Sequence, residues 1–351
     1  MSALIDDLLK TVVELGASDL HLAVPSPPVI RLNGGLQRLV DSPPLTAEMA
    51  DDILRSVTSD AEKETFYRER ELDFSYNVPG LARFRVNAGF KQGTVCLSLR
   101  PVPITVPTLE SLGLPEVCKK LITLPRGLLL VAGPTGCGKS TTMAAMINYL
   151  NETVSARIIT IEEPVEFFHH DKKCMVIQRE VGEDTLSFAS GLRQALRQDP
   201  DVIMIGELRD RETISVALTA AETGHLVLGT VHTNNAVQAI ERIIDVYPAD
   251  GQQQARYQLG MVLEGVIFQL LVSRANQQGR VPATEVLVGT VAMRNQIRSN
   301  ELHLMKSYME MGREQGMHSL EQSLSQLARK GEISADAARS VVSDSEGLKI
   351  R

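Results

Sequence analysis

The stretch GPTGCGKSTT, residues 133–142, has the residue types and spacing of a loop that binds phosphate. It contains the pattern G-x-x-x-x-G-K-[ST], and it lies between a strand-like apolar segment and a helix-like segment. Glycines let the backbone N–H groups of such a loop point at phosphate oxygens, and the following helix adds the positive end of its dipole. We therefore predict that Lys139 contacts the β- and γ-phosphates of a nucleotide and that the Ser140 hydroxyl contacts Mg²⁺. The predicted binding residues of the loop are Gly133, Pro134, Thr135, Gly136, Cys137, Gly138, Lys139, Ser140 and Thr141.

Two further segments end in residues that suit phosphate chemistry. In DVIMIGELRD an apolar run ends at Glu207, and in TGHLVLGTVHTN a predicted strand lies between His225 and His232. Ligands of α/β sheets bind at the carboxyl ends of the strands, so Glu207 is predicted to hold Mg²⁺ through water or to position a catalytic water. A neutral histidine at a strand end can sense a γ-phosphate through a hydrogen bond. The alternative is that these residues only end strands or are packed or exposed.

The segment ITIEEPVEF places three carboxylates, Glu162, Glu163 and Glu166, directly after an apolar run. Hydrolysis of a nucleotide needs a group that orients or deprotonates water beside the γ-phosphate, and a carboxylate is suitable. A solvated acidic turn is the alternative interpretation.

Composition narrows the class of protein. The 351 residues suggest about two domains, and the 43% apolar content is enough for hydrophobic cores. The net charge of −7 gives no global sign of nucleic-acid binding, and four cysteines without a Cys-x-x-Cys pair disfavour a disulfide framework or a four-thiolate zinc site. No apolar run reaches the roughly 18 residues of a spanning helix. Because Asp6 and Asp7 stand where a signal peptide has positive charge, we expect a cytoplasmic protein.

The first part of the chain predicts an antiparallel α+β fold. Helical spacing up to Leu15, with Gly16 as a stop, predicts a first helix, and SDLHLAV alternates like a half-buried strand. The segment VIRLNGGLQRLV predicts a hairpin around Asn33 and Gly34, and residues 46–67 predict one helix. The strand-like segments ELDFSY, ARFRVN and TVCLSLR follow, and we expect the strands to pair in meander order.

The second part of the chain predicts a parallel sheet. Four short apolar segments, GLLLVAG, RIITIEE, DVIMIGE and HLVLGTVHT, are separated by helical patterns that include residues 187–197 and 214–221. This alternation is typical of a parallel sheet that helices cover on both faces. We therefore predict an N-terminal domain over residues 1–100, a proline-rich linker over 101–125 and a nucleotide-binding domain over 126–351.

Together these segments resemble the type II/type IV secretion ATPase superfamily, and most closely its motors that retract type IV pili. The resemblance covers nearly the whole chain, and it implies an α/β fold in which a RecA-like P-loop NTPase core carries a smaller N-terminal α+β, PAS-like domain. The segments that carry the resemblance are GASDLHL, IRLNGGL, LARFRVNAGF, GPTGCGKSTT, ITIEEPVEF, QREVG, DPDVIMIGELRD, TAAETGHLVLGTVHTN and AMRNQIR.

The resemblance also implies roles for particular residues. Glu166 corresponds to the catalytic glutamate of the family and Glu207 to its Walker B glutamate. His225 and His232 correspond to its histidine pair, of which His232 is better placed for the γ-phosphate. Arg126 is also among the predicted nucleotide-binding residues. Arginines in the predicted N-terminal strands correspond to arginines that reach a nucleotide site in a ring, with exposed strand cations as the alternative; they are Arg83, Arg85 and Arg100.

Three residues depart from the family pattern. Cys137 replaces a usual serine in the loop, where only the backbone is demanded, so we expect activity with some thiol sensitivity. Glu163 replaces an aspartate, which keeps the charge and lengthens the side chain. Gln296 replaces a leucine in AMRNQIR, and we expect it to weaken or change the contact on which that helix docks.

The function implied by the resemblance is that of a hexameric motor. Mg²⁺-dependent ATP hydrolysis would change the angle between the two domains, with the proline-bearing linker as hinge. Changes around the ring would act on the inner-membrane platform protein of the pilus, so that pilin subunits leave the fibre during twitching motility. The motor would work at the cytoplasmic face of the inner membrane without inserting into it, and other pilus ATPases are possible partners.

Other functions are compatible with parts of the sequence. One is an ATPase for pilus assembly or type II secretion, although the chain lacks the four-cysteine zinc insertion and the longer N-terminal region of those relatives. Another is an accessory motor that needs a partner ATPase. A third is a scaffold that binds nucleotide but hydrolyses it slowly, which the presence of Lys139, Glu166 and Glu207 disfavours. A nucleic-acid translocase is disfavoured by the acidic charge and by the 4% aromatic content without tryptophan.

Overall fold

The chain forms two compact units, Met1–Thr105 and Val106–Arg351. The computed structural model describes residues 2–32, 34–39, 42–102, 105–276, 279–342 and 348. In the N-terminal unit the helices are α1 (Ser2–Glu14), α2 (Ala47–Val57) and α3 (Asp60–Glu69). Its strands are β1 (Asp19–Ala23), β2 (Val29–Leu32), β3 (Gly35–Arg38), β4 (Leu72–Val78), β5 (Ala82–Lys91) and β6 (Thr94–Val102).

Within the described residues, the six strands of the N-terminal unit form one sheet in the order β3-β2-β1-β6-β5-β4. Every pairing is antiparallel, which confirms the α+β prediction. The predicted meander order is wrong, because β1 pairs with β6 across the middle of the sheet. This pairing sets Leu20 opposite Leu99 and Leu22 opposite Leu97, and all four side chains are buried. A shared apolar face therefore joins the two halves of the sheet.

The single helix predicted over residues 46–67 is wrong, because the chain forms two helices there. Thr58 ends α2 with an extended backbone, and Ser59 begins α3 as a capping box with Glu62. Such a cap contributes about 1 kcal/mol, and its S-x-x-E signature stands in the sequence. In the predicted hairpin, Gly34 has φ of 84°, and Asn33 lies outside the described residues.

The segment predicted as a linker, residues 101–125, contains regular structure at both ends. Residues 101 and 102 continue β6, and α4 (Val117–Ile122) lies near the other end. Proline is tolerated at position 101 because the ladder between β1 and β6 extends only to Leu99.

The C-terminal unit contains further strands β7 (Gly127–Ala132), β8 (Arg157–Glu162), β9 (Met175–Glu180), β10 (Val202–Ile205), β11 (Leu226–Val231), β12 (Leu263–Ser273) and β13 (Arg280–Val288). Its helices after α4 are α5 (Lys139–Thr153), α6 (Phe188–Ala195), α7 (Arg211–Glu222), α8 (Ala236–Asp245), α9 (Gln252–Val262), α10 (Val291–Ser299), α11 (Met305–Met311), α12 (Leu320–Arg329) and α13 (Ala335–Arg339). Among the described residues, no helix combines the length and the apolar character needed to cross a membrane.

The strands of the C-terminal unit form a sheet in the order β13-β12-β7-β11-β10-β8-β9. All pairings are parallel except that of β12 with β13. Alternate residues of β7 belong to different cores: Leu128 and Leu130 pack in one, and Leu129 and Val131 in the other. The sheet is therefore covered on both faces, as the sequence predicts. Strands β9, β12 and β13 were not predicted, and β9 is a half-exposed edge strand without a continuous apolar run.

Helix α10 carries the segment AMRNQIR and buries one side of it. Met293, Gln296 and Ile297 are buried, whereas Val291 and Arg298 are exposed. The contact that Gln296 is expected to weaken is therefore the packing of α10 on its own unit, because the side chain is buried there. Among the described residues its Oε1 has no hydrogen-bond partner.

We expect Gln296→Leu to stabilise the protein by about 1 kcal/mol, because leucine removes a buried and unsatisfied amide oxygen. Chemical denaturation followed by circular dichroism measures this change, and Asn295→Leu at an exposed position of the same helix is the control, with an expected change below about 0.5 kcal/mol. A loss of stability in Gln296→Leu alone would show that the amide is satisfied.

Candidate nucleotide-binding site

Glycines shape the loop between β7 and α5. Gly133, Gly136 and Gly138 have φ of 148°, 77° and 90°, a region that strains other residues. A Cβ atom on Gly133 would also lie 2.5 Å from the Cys137 Sγ and 2.5 Å from the carbonyl oxygen of Gln269. Since α5 begins at residue 139, the free N–H groups of its first turn adjoin the loop. The loop therefore has the backbone of a phosphate-binding site.

A buried glutamine holds this loop in place. Gln269, on β12, is 1% exposed. Its Nε2 donates to the Cys137 carbonyl at 2.7 Å, and its Oε1 accepts a hydrogen bond from the Thr142 hydroxyl at 2.8 Å. One side chain thus connects β12 to both the loop and the first turn of α5. Sequence reasoning missed Gln269, although a lone amide inside the apolar run VIFQLLV signals a buried group that needs partners.

Three predicted residues meet beside the loop. The Lys139 ammonium donates to the carbonyls of Gly133 at 2.9 Å and Pro134 at 3.0 Å, and burial lowers its pKa. The Nδ1 of His232 lies 3.5 Å from the Lys139 Nζ, and its Nε2 lies 3.9 Å from the Glu207 Oε1. His232 therefore connects the predicted phosphate-binding lysine to the predicted Walker B glutamate.

The acidic segment forms the other side of the site. Glu162 is only 7% exposed, and burial raises its pKa to about 7. Its Oε1 accepts hydrogen bonds from the Thr160 hydroxyl at 2.6 Å and from Gln178 at 3.1 Å. Glu163 and Glu166 are exposed, so the buried and the exposed carboxylates of this segment are suited to different tasks.

A cavity of about 460 Å³ contains most of the predicted site. The predicted residues that line it are Thr135, Gly136, Gly138, Lys139, Ser140, Thr141, Glu162, Glu166, Glu207 and His232. Residues that sequence reasoning missed line it as well, among them Met143, Phe167, His169, Phe188, Thr230, Leu271 and Arg280. Of these, Arg280 adds a positive charge, and no motif in the sequence includes it.

Arg126 and His225 are not brought to this cavity. They immediately precede β7 and β11, whereas the loop and His232 follow the same two strands. Because the strands are parallel and each spans about 20 Å, Arg126 and His225 lie at the opposite edge of the sheet. The Nδ1 of His225 lies 3.0 Å from the Ala220 carbonyl oxygen, which indicates a structural contact with the end of α7.

The predicted arginines lie on two neighbouring strands of the N-terminal unit. Arg85 on β5 and Arg100 on β6 are directly opposite each other, and Arg83 lies two residues before Arg85. Arg100 donates to the Asp19 carboxylate at 2.7 Å and 2.9 Å and remains 67% exposed. A role at a nucleotide site stays a prediction for all three.

The thiol of Cys137 is buried under the loop. It is 4% exposed, and burial raises its pKa, so the reactive thiolate is disfavoured. The expected thiol sensitivity is therefore not supported by the position of this residue.

The chain is similar in sequence to proteins of a known family. The family described as Type II/IV secretion system protein matches residues 95–339. A Pseudomonas aeruginosa protein named Type IV pilus retractation ATPase PilT is 47% identical over 335 residues, which cover 95% of this chain and 97% of that protein. The chain belongs to the type II/IV secretion family.

Two more members of the type II/IV secretion family show how far the likeness extends. The Pseudomonas aeruginosa Type IV pilus ATPase PilU is 41% identical over 345 residues, or 98% of this chain and 90% of that protein. A crystal structure of the pilus retraction motor PilT with bound ADP has a TM-score of 0.92 and 44% identity, and the match covers 98% of each chain. The α/β fold is thus that of the secretion ATPases, in agreement with the prediction.

We expect the buried Glu162 to make stability depend on pH. Its pKa is about 7 in the folded protein and ordinarily 4.5, so between these values the folded state holds a proton that the unfolded state has lost. The free energy of unfolding should therefore fall, relative to Glu162→Gln, by up to about 1.4 kcal/mol per pH unit as pH rises from about 5 to 7.

Urea denaturation of both proteins across this pH range measures the difference, and Glu163→Gln at the exposed neighbour is the control. Parallel curves for the parent and Glu162→Gln would rule out a raised pKa at this carboxyl.

Proposed function

We propose that this protein is a hexameric, Mg²⁺-dependent ATPase motor that retracts type IV pili and so supports twitching motility. The chain is an ATPase of the type II/IV secretion family. The observation that carries the proposal is the cavity in which Lys139, Glu166, Glu207 and His232 converge. Similarity to the relative named PilT along 95% of the chain supports the retraction role.

Different residues of the chain have different roles in hydrolysis. Lys139 binds the β- and γ-phosphates and offsets their charge, while the loop backbone donates its N–H groups. Glu166, exposed at the edge of the cavity, orients the attacking water and accepts its proton. His232 contacts both Lys139 and Glu207. A change in its hydrogen bond to the γ-phosphate can therefore change its contact with Glu207, which follows the Walker B strand.

The donor set fits Mg²⁺ that is held largely by the nucleotide. Among the described residues, no group of three or more His, Cys, Asp or Glu side chains could hold a metal ion. Mg²⁺ keeps several waters and prefers one or two protein ligands together with phosphates. The Ser140 hydroxyl and, through water, the Glu207 carboxylate line the cavity and suit this role. When bound, the ion would neutralise charge that develops on the phosphates.

Coupling to the pilus requires the ring and its partners. In this proposal, Arg83, Arg85 and Arg100 complete a nucleotide site within the hexamer. The hinge is the proline-bearing stretch 101–117 of the linker, between an N-terminal PAS-like domain, residues 1–100, and the ATPase domain, residues 126–351. The ring works at the cytoplasmic face of the inner membrane against the platform protein. The second candidate is an accessory motor that needs a partner ATPase.

We expect Glu207→Ala to lose ATP turnover by about 100-fold or more while ADP still binds, and Lys139→Ala to lose both turnover and affinity. The physical reason is that Glu207 acts on water or metal, whereas Lys139 contacts the phosphates directly. Steady-state phosphate release and fluorescent-ADP titration measure these effects, and Glu241→Ala on the exposed side of α8 is the control. Parent-like turnover in Lys139→Ala would exclude this cavity as the site.

In this proposal, the exposed side of α10 contacts the partner protein on which the motor acts. Val291, Asn295 and Arg298 share this side, and Val291 is 76% exposed. We expect Val291→Glu to leave ATP hydrolysis unchanged and to abolish retraction, because the surface change spares the cavity.

Deletion of the gene should leave cells with excess surface pili that do not twitch, and a plasmid copy of Val291→Glu should not restore movement. Electron microscopy measures the number of surface pili, and a twitching assay measures movement. Cells without pili would indicate an assembly motor, and a deletion strain that twitches normally would contradict a retraction role.

A further inference from the structure

The segment QREVG, residues 178–182, received no role from its motif, yet its first residue contacts the acidic loop directly. Gln178 lies on the edge strand β9, next to β8, which ends at Glu162. Residues 163–169 form the loop that leaves β8, and they contain Glu166. No regular structure holds this loop, so its position must come from side-chain contacts.

One amide makes three of these contacts. The Nε2 of Gln178 donates to the Phe167 carbonyl at 2.8 Å and to the Glu162 carboxylate at 3.1 Å. The Oε1 of Gln178 accepts a hydrogen bond from the His169 backbone N–H at 2.9 Å. Gln178 therefore holds the loop backbone just beyond Glu166 and ties it to the buried carboxylate at the end of β8.

Contacts on the other side of Glu166 complete the arrangement. The Glu180 carboxylate, two residues along β9, accepts a hydrogen bond from the Val165 backbone N–H at 3.1 Å. The loop backbone is thus held at residues on both sides of Glu166, while its side chain stays exposed in the cavity.

We propose that Gln178 is a positioning residue for hydrolysis, which holds the loop so that the Glu166 carboxylate keeps one place at the edge of the nucleotide cavity. An amide suits this task because it donates and accepts at once without setting a charge against the buried Glu162 carboxyl group. Misplacement of a catalytic group by about 1 Å can cost about 100-fold in rate. This inference rests on the proposed ATP hydrolysis.

The test compares Gln178→Met, which keeps the length of the side chain and removes all three hydrogen bonds, with Gln194→Met at an exposed position of α6. We expect Gln178→Met to lower kcat by about 10- to 100-fold, with KM for ATP and ADP affinity within about 3-fold of the parent. The phosphate-binding loop is untouched by the change, so binding should survive. An equal loss of affinity and turnover would indicate a general structural defect and overturn the proposal.

Hydrogen exchange tests the positioning without reference to activity. The amide hydrogens of residues 163–169 should exchange faster in Gln178→Met than in the parent, while those of β7 do not change. A loop that exchanges at the parent rate would overturn the inference even if turnover fell. If the parent itself does not hydrolyse ATP, the proposed function fails, and the exchange experiment still decides whether Gln178 holds the loop.

A second pair of variants covers the case in which Gln178→Met does not fold. Gln178→Glu keeps the acceptor for the His169 N–H but sets a carboxylate against Glu162, and we expect low kcat. Adding Glu162→Gln restores a donor and an acceptor between the two positions, so the amide hydrogens of residues 163–169 should exchange more slowly than in Gln178→Glu. A double variant in which they exchange as fast as in Gln178→Glu would overturn the inference.

Discussion

The site depends on the fact that four neighbouring parallel strands end at one edge of a sheet. In the order β7, β11, β10 and β8, these strands lead into the phosphate-binding loop, His232, Glu207 and the acidic loop. Adjacent strands lie about 4.8 Å apart, so the order of the strands sets the order of the chemical groups. His232 lies between Lys139 and Glu207 for this reason, and the same geometry places His225 about 20 Å away at the other edge.

Neutral amides support the charged groups of this edge. Gln269 holds the phosphate-binding loop from β12, and Gln178 holds the acidic loop from β9. The two glutamines lie on strands outside the four that end in the predicted catalytic groups. Gln269 is buried, so a charge in its place would be costly to desolvate, whereas an amide offers a donor and an acceptor without that cost. A charge in place of Gln178 would act directly on the Glu162 carboxyl group and shift its ionisation.

Helix α10 has a buried side and an exposed side with different neighbours. Its buried side contains Gln296, the departure from the family pattern, whereas its exposed side presents Val291. The unsatisfied amide oxygen therefore lies on the buried side of the helix and not on its exposed side. A substitution on one side can therefore change the packing of the unit without altering the exposed side, and the reverse also holds.

The sequence by itself determined the motifs, the parallel sheet of the ATPase unit, and Lys139, Glu207 and His232, because glycine spacing and apolar strand ends are local signals. It did not reveal β12 and β13, the pairing of β1 with β6, or the break before Ser59, although the capping signature was present. Only the tertiary structure decided which residues share the cavity. Gln269 contacts the Cys137 carbonyl across 132 residues of the chain, whereas Gln178 contacts loop backbone 9 and 11 residues away. Single side-chain hydrogen bonds of this kind leave no periodic pattern in the sequence.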